Sequence, residues 1–200
     1  MKPSPRKPLD RLLATRGVLR TSRILGLGIH PRTLYALRDS GRLIRLARGL
    51  YRPSGLPDLA EPDIVTVAAR TPKAVVCLIS ALSLHGLTTQ IPHAVDIALP
   101  PGTKAPRLSH PPVQIYRYSK KTLAAGVETR TIDSVAVRVF SPAKTIADAF
   151  KFRNRIGLET ALEALRTAIS RRRVPPSEIL LFARLCRVER IIRPYLEAIL

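Results

Sequence analysis

The stretch GVLRTSRILGLGIHPRTLYALRDSGRLIRLARGLYRP, residues 17–53, decides the fold of this protein. Thr21 and Ser22 are residue types that favour a helix N-cap, so a helix of about two turns is predicted to follow them. Pro31 suits the first position of a further helix, and Gly41 suits the position just after its end. The pattern therefore predicts a pair of short helices separated by a glycine-containing turn.

A basic hairpin is predicted directly after these helices. Leu43–Leu46 and Leu50–Arg52 are β-prone runs, and Ala47-Arg48-Gly49 between them has the late glycine of a three-residue hairpin loop. Upstream, Leu9–Thr15 carries leucines on one helical face and predicts a preceding helix. This order is that of a winged helix-turn-helix. We predict that it occupies residues 1–57, together with a basic N-terminal arm and a linker.

The net charge indicates the kind of partner. The chain has 34 Lys and Arg against 14 Asp and Glu, which gives a formal net charge of +20. A protein of this size with such an imbalance repels itself unless something anionic neutralises it. Nucleic acid is the commonest such partner, although a membrane surface or an acidic protein would also serve. Residues 1–60 hold 13 basic and 3 acidic side chains, which is half of the excess, so a polyanion-binding module is predicted there.

The outward face of the winged helix-turn-helix supplies the candidate contacts with double-stranded DNA. Arg32 and Thr33 lie at the start of the third helix, the part that approaches base edges in the major groove. Arg45 and Arg48 line the wing, where they can contact phosphates or enter the minor groove. The predicted DNA-binding residues are Arg20, Thr21, Ser22, Arg32, Thr33, Tyr35, Arg38, Arg42, Arg45 and Arg48.

Residues 58–200 predict a mixed α+β module that ends in helices, so the fold class of the whole chain is α+β. Strands are predicted at Ala94–Leu99, Val113–Tyr118, Val127–Ile132 and Val135–Phe140. Helices are predicted at Asp63–Arg70, at Leu78–His85, from the cap Ser141 to about Phe152, from Ile156 to a break at Arg171–Pro176, from the cap Ser177 to about Val188, and at Pro194–Leu200. A second basic patch is predicted from Lys144, Lys151, Arg153 and Arg155, which could extend the DNA footprint, meet an acidic partner or remain solvated.

Enzymatic chemistry is not predicted. A metal-dependent nuclease needs clustered carboxylates, usually with a lysine, to hold Mg²⁺ and activate water. Asp96, Glu128 and Asp133 are instead scattered, and no lysine follows the last two at short spacing. His85 and His93 have no adjacent Cys or Ser nucleophile, so His85 is interpreted as a helix-end histidine with its hydrogen bonds satisfied. No catalytic residue, metal ligand or cofactor is therefore predicted.

The cysteines and the apolar runs predict the compartment. Cys77 and Cys186 lie far apart without the spacing of a zinc site, so they are predicted to be buried thiols in a reducing cytosol. The longest purely apolar run, residues 74–79, is too short to cross a bilayer. The N-terminus is basic and lacks the apolar core of a signal peptide. The sequence therefore predicts a soluble, cytoplasmic protein with no membrane partner.

Several of these segments together resemble a known family. Residues 17–53, and above all GRLIRLARGLY at residues 41–51, resemble the N-terminal winged helix of AbiEi-type antitoxins from type IV toxin–antitoxin systems of abortive infection. The resemblance continues through SALSLHGL at residues 80–87 and SPAKTIADAF at residues 141–150. It implies a repressor that binds repeats upstream of its own operon. It also implies a functional partner, a nucleotidyltransferase-like toxin, that is opposed without the need for a stable complex.

Two alternatives remain open on the residues alone. One is a stand-alone winged-helix transcriptional regulator whose second module senses a ligand. The other is a nuclease that the winged helix guides to DNA. A nucleotidyltransferase-like gene directly downstream would favour the antitoxin over the stand-alone regulator, and a Mg²⁺-dependent cleavage assay would test the nuclease.

Overall fold

A computed structural model describes residues 8–15 and 17–200 of the chain. The predicted basic arm comprises residues 1–8, of which residues 1–7 lie outside the described residues, whereas Pro8 is the first residue of the first helix. The N-terminal elements are helices α1 (Pro8–Leu13), α2 (Thr21–Gly26) and α3 (Pro31–Asp39) and strands β1 (Leu19–Arg20), β2 (Leu43–Ala47) and β3 (Leu50–Pro53). The strands form an antiparallel sheet in the order β1-β3-β2. The predicted winged helix-turn-helix and the α+β class are confirmed.

The winged helix has a small apolar core of its own. Leu12 of α1, Ile24 of α2 and Leu34 of α3 are fully or almost fully buried and belong to one cluster with Leu43 and Tyr51 of the wing. His30 caps α3, because its Nδ1 atom accepts a hydrogen bond of 3.2 Å from the Arg32 amide. The apolar spacing and the cap fix which face of α3 is turned outward.

Local details at the start of α2 and at the wing tip differ from the prediction. Thr21 is the first residue of α2 rather than its cap, because Arg20 is held in β1 by pairing with Leu50. The amide of Thr21 donates a hydrogen bond of 3.0 Å to the carbonyl of Gly49, so the first residue of α2 is held by the sheet.

The predicted three-residue wing loop is wrong. A register shift lets Ala47 pair with Leu50, and only residues 48–49 turn.

The second part of the chain is built on a mixed five-stranded sheet. Its strands are β4 (Val75–Val76), β5 (Val95–Leu99), β6 (Val113–Arg117), β7 (Val127–Ile132) and β8 (Val135–Phe140), in the order β6-β5-β4-β8-β7. The β5/β6 and β4/β8 pairs are parallel, whereas β4/β5 and β7/β8 are antiparallel. The four predicted strands are confirmed, and the short central strand β4 was missed.

Helices cover both faces of this sheet. They are α4 (Pro62–Arg70), α5 (Leu78–Leu84), α6 (Lys120–Ala124), α7 (Pro142–Lys151), α8 (Arg153–Ile156), α9 (Leu158–Ser170), α10 (Pro176–Cys186) and α11 (Glu189–Ile199). Val95, Ile97 and Leu99 of β5 pack in one cluster with Val67 of α4. Ala98, the next residue along the same strand, belongs to the cluster of α7, α9, α10 and α11. Because both faces are covered, β5 is apolar throughout instead of alternating, apart from the buried Asp96.

The last helices begin earlier than predicted. Pro194 was expected to open the final helix, but it lies inside α11, which begins at Glu189. The buried residues Ile192 and Leu196 lie one turn apart on either side of the exposed Pro194, so packing keeps the helix continuous there. Likewise, α10 begins at Pro176 and not after a Ser177 cap.

The winged helix docks on the turn between β7 and β8. Asp133 and Ser134 both have positive φ, as a tight hairpin turn requires. Gly17, with a φ of +141°, lies so close to this turn that a Cβ atom on it would be 2.6 Å from Cβ of Ser134. The carboxylate of Asp133 accepts a hydrogen bond of 3.0 Å from the Ala60 amide. The turn therefore holds both the winged helix and the segment that follows it.

Candidate nucleic-acid interface

The third helix presents a polar, exposed face. Arg32, Thr33 and Tyr35 are exposed, while Leu34 and Leu37 on the opposite side are buried in the winged-helix core. Arg32 and Thr33 stand at the N-terminal end of α3, next to the His30 cap. This is the end at which recognition helices approach base edges. The geometry expected of a recognition helix is therefore present.

Arg38 is less available than its neighbours on α3. Its guanidinium forms an ion pair of 2.7 Å with Asp39 and lies 5.1 Å from the centre of the Tyr35 ring. The hydrogen bond between the two side chains lowers the pKa of Asp39 and raises the pKa of Arg38. Contact between Arg38 and a phosphate would have to compete with Asp39, so the remaining exposed groups of α3 are better placed to bind DNA.

The wing carries three exposed arginines. Arg42 precedes β2, Arg45 lies in it, and Arg48 occupies the turn. Gly49 completes that turn with a φ of +77°, a conformation that favours glycine. The wing thus extends three guanidinium groups into solvent beside α3, as the sequence analysis expected.

The predicted contacts at the start of α2 divide into two kinds. Thr21 is half-buried and Ser22 is exposed, so the hydroxyl of Ser22 is accessible to a backbone phosphate. Arg20 is exposed as well, but its Nη2 atom donates a hydrogen bond to the carbonyl of Ala69 in α4. Arg20 therefore joins the winged helix to the second part of the chain.

The winged helix is also where the chain matches a known family. Residues 7–54 match the family described as "Transcriptional regulator, AbiEi antitoxin". The match supports an AbiEi-type antitoxin. It covers α3 and the wing, the elements that carry the candidate DNA contacts. DNA binding is expected for this family of transcriptional regulators.

A solved structure shares the fold of nearly the whole chain. It is the crystal structure of the RV2827C protein from Mycobacterium tuberculosis, which is 15% identical. The similarity covers 96% of this chain and 80% of that chain, with a TM-score of 0.56. At this identity the likeness shows the fold alone. No curated protein matches the chain.

One residue of the predicted second basic patch, Lys144, does not lie on the surface. Lys144 is fully buried on the inner side of α7, where its ammonium group pairs with the carboxylate of Asp148. It cannot meet DNA or a partner, because the sheet and α10 enclose that side of α7. Nothing in the sequence indicated that Lys144 is buried, since lysines are almost always exposed.

The other three residues of that patch have different contacts. Lys151 is exposed and lines a cleft of about 640 Å³, and the other basic residues of this cleft are Lys121, Arg184 and Arg187. Arg153 donates a hydrogen bond of 2.9 Å to the carbonyl of Phe150. Arg155 is exposed and stacks 4.4 Å from the centre of the Tyr116 ring.

The acidic residues considered for catalysis have structural partners. Asp96 is buried in β5, and its Oδ2 atom accepts hydrogen bonds from the amides of Ile79 at 3.0 Å and Ser80 at 3.4 Å. Burial raises the pKa of Asp96 to about 6, although these two bonds oppose the shift. Glu128 pairs with Arg130 at 3.6 Å. Across the described residues, no group of three His, Cys, Asp or Glu side chains could hold a metal ion.

His85 is a satisfied helix-end histidine, as the sequence analysis interpreted it. Its Nε2–H group donates a hydrogen bond of 2.7 Å to the carbonyl of Phe140, and its Nδ1 atom accepts one of 2.8 Å from Arg130. Burial lowers the pKa of His85, which favours this neutral form. His93 is exposed.

The predictions about the cysteines and about membrane-spanning segments can be compared with the structure. Cys77 and Cys186 are both buried free thiols, and burial raises the pKa of each of them, for Cys186 to about 12. Within residues 8–15 and 17–200, no helix is both long enough and apolar enough to span a bilayer.

Two arginines outside the predicted winged helix lie next to the wing. Arg70, the last residue of α4, and Arg107, in the loop before β6, line one cleft together with Arg45 and Arg48. Neither arginine was predicted from the sequence to take part in DNA binding. Their positive charge was the one feature in the sequence that could have indicated a role in DNA binding. It does not distinguish them, because the chain has 34 Lys and Arg residues.

Proposed function

We propose that this chain is a DNA-binding transcriptional repressor that acts as the antitoxin of a type IV toxin–antitoxin system. The observation that carries the proposal is the exposed face of α3 beside an arginine-bearing wing, within the residues that match the AbiEi family. In this proposal residues 1–57 form the DNA-binding domain, and residues 58–200 form the antitoxin domain.

The proposed target is double-stranded DNA with repeated operator sites upstream of the chain's own operon. Arg32 and Thr33 read base edges, because they are exposed at the N-terminal end of α3. Ser22, Arg42, Arg45 and Arg48 hold the phosphate backbone, because they are exposed around the recognition helix. A single winged helix makes few contacts, so binding at two half-sites would supply the affinity that repression needs.

The proposed functional partner is a nucleotidyltransferase-like toxin, opposed without the need for a stable complex. We assign this role to residues 58–200, since the five-stranded sheet and its helices have a core separate from that of the winged helix. Lys151 and Arg155, exposed near the α7–α8 junction, are the candidate surface. The buried Lys144 is excluded from it.

Co-expression tests the proposal with the full chain. The full chain is expressed together with the nucleotidyltransferase-like gene that the proposal places beside its own, and growth is measured. A reporter driven by the upstream region measures repression in the same cells. We expect growth to be rescued and the reporter to be repressed. Repression without rescue would leave a stand-alone regulator, and rescue without DNA binding would refute the repressor.

A further inference from the structure

The wing and the second part of the chain share an open cleft of about 550 Å³. Four of the residues that line it are arginines, namely Arg45 and Arg48 from the wing, Arg70 from α4 and Arg107 from the loop before β6. All four side chains belong to exposed residues. The winged helix supplies only half of these guanidinium groups.

Two contacts bring the winged helix against the C-terminal end of α4, one from the wing tip and one from β1. A Cβ atom placed on Gly49 would lie 3.7 Å from Nη1 of Arg70, so this guanidinium rests directly beside the wing turn. One residue earlier in α4, the carbonyl of Ala69 accepts the hydrogen bond from Arg20 of β1. The positions of the arginines relative to one another are therefore set by the docking of the two parts of the chain.

The arginines of the cleft are not neutralised within the described part of the chain. No carboxylate of the described residues forms an ion pair with any of the four. Like charges gathered in one cleft repel, and a bound anion removes that repulsion. The planar guanidinium group also offers paired N–H donors that match two phosphate oxygens.

The lining favours a phosphate over a larger ligand. Besides the arginines it contains Ala47, Leu108 and Ser109, and no aromatic ring of the described residues lines it on which a base could stack. It is also continuous with Arg45 and Arg48 of the proposed DNA interface. A phosphodiester backbone that passes along the wing would enter the cleft.

We propose that Arg70 and Arg107 complete the wing as a clamp on backbone phosphates of the bound DNA. This inference rests on the proposed DNA-binding function and adds that the second part of the chain grips the DNA as well. Each phosphate that a cationic side chain neutralises releases counterions, so the clamp contributes to the salt dependence of binding. It carries no sequence information, because phosphates are the same at every base pair.

The test measures DNA affinity of the full chain at several salt concentrations, with an operator duplex and a random duplex. The variants are Arg70→Ala and Arg107→Ala. The control is Arg190→Ala, an exposed arginine of α11, whose buried residues belong to a different core cluster from those of α4. Each clamp variant should reduce the slope of log affinity against log salt by about 1 and weaken binding to both duplexes alike. Arg190→Ala should behave as the unmodified chain.

Two further measurements make the result decisive. Arg70→Lys keeps the charge and should recover the salt slope, which separates lost charge from lost folding. Titration with inorganic pyrophosphate identifies the source of the phosphate. If Arg70→Ala loses pyrophosphate binding but keeps the full DNA slope, the cleft serves a free anion and the clamp is refuted.

The clamp and the proposed function fail in different ways. If the unmodified chain shows no salt-dependent DNA binding, the proposed function fails and the clamp fails with it. If the unmodified chain binds with a steep slope and both clamp variants match Arg190→Ala, only the clamp is overturned.

Discussion

At the scale of single residues, Lys144 is fully buried although lysine side chains are usually exposed. Its Nζ atom lies 4.2 Å from the centre of the Phe140 ring and pairs with Asp148, one helical turn further along α7. The Sγ–H group of Cys186 in α10 donates a hydrogen bond of 3.2 Å to the other oxygen of Asp148. Burial raises the pKa of Asp148, and the Lys144 charge opposes that shift. The hydrogen bond between Cys186 and Asp148 joins α10 to α7 inside the core.

Removal of one partner of this pair should cost much more than replacement of both. Asp148→Ala leaves a buried ammonium group without a counter-charge, so it should lower the free energy of unfolding by about 3–5 kcal/mol. The double variant Lys144→Met with Asp148→Leu removes both charges and keeps apolar volume, so its cost should be much smaller. Urea denaturation of the two variants and the unmodified chain measures this. Equal losses would mean that the pair does not act as a buried ion pair.

At the scale of elements, the recognition helix and the wing should differ in what they contribute to binding. Arg32→Ala on α3 should cost about 1–3 kcal/mol on the operator and relax the sequence preference. Arg48→Ala on the wing should weaken operator and random DNA alike, because it removes a phosphate contact. Binding of both variants to both duplexes at one salt concentration measures the difference.

Arg166→Ala is the control for this comparison, since Arg166 is an exposed residue of α9, outside the proposed interface. If Arg32→Ala loses the same affinity on operator and random DNA, α3 does not read bases through Arg32. If Arg48→Ala affects the operator alone, the wing takes part in base recognition.

Strands could be predicted from the sequence where the run of β-prone residues was long enough to show a pattern. The four strands of five or six residues in the second part of the chain were all found from β-prone runs. The two-residue strands β1 and β4 were missed, because two residues carry no periodicity and pair only where the fold brings a neighbour beside them. β4 nevertheless lies at the centre of its sheet, between β5 and β8.

At the scale of the whole molecule, the docking of Gly17 on the β7–β8 turn should make the chain unfold as one unit. Gly17→Ala places a Cβ atom 2.6 Å from Cβ of Ser134 and 2.8 Å from the carbonyl oxygen of Asp133, so one side must move. We expect the winged helix to undock and to unfold at a lower temperature than the rest. Calorimetry should then record two transitions instead of one.

The control for this prediction is Gly102→Ala. Gly102 also has a positive φ, +74°, but no atom lies within 4 Å of the added Cβ position. This variant should lose about 1 kcal/mol of stability from backbone strain and keep a single transition. If Gly17→Ala behaves in the same way, the contact with the turn does not couple the two parts of the chain.

The sequence by itself determined the winged helix, the exposed face of α3, the basic wing and most of the sheet. These depend on the period of apolar residues, on Pro31 and on glycines at turns, which act between near neighbours along the chain. Only the tertiary structure decided that Lys144 is buried, that Gly17 meets Ser134 and that Arg70 and Arg107 join the wing. Each of these depends on which distant segments meet, and a local pattern of residue types carries no record of that.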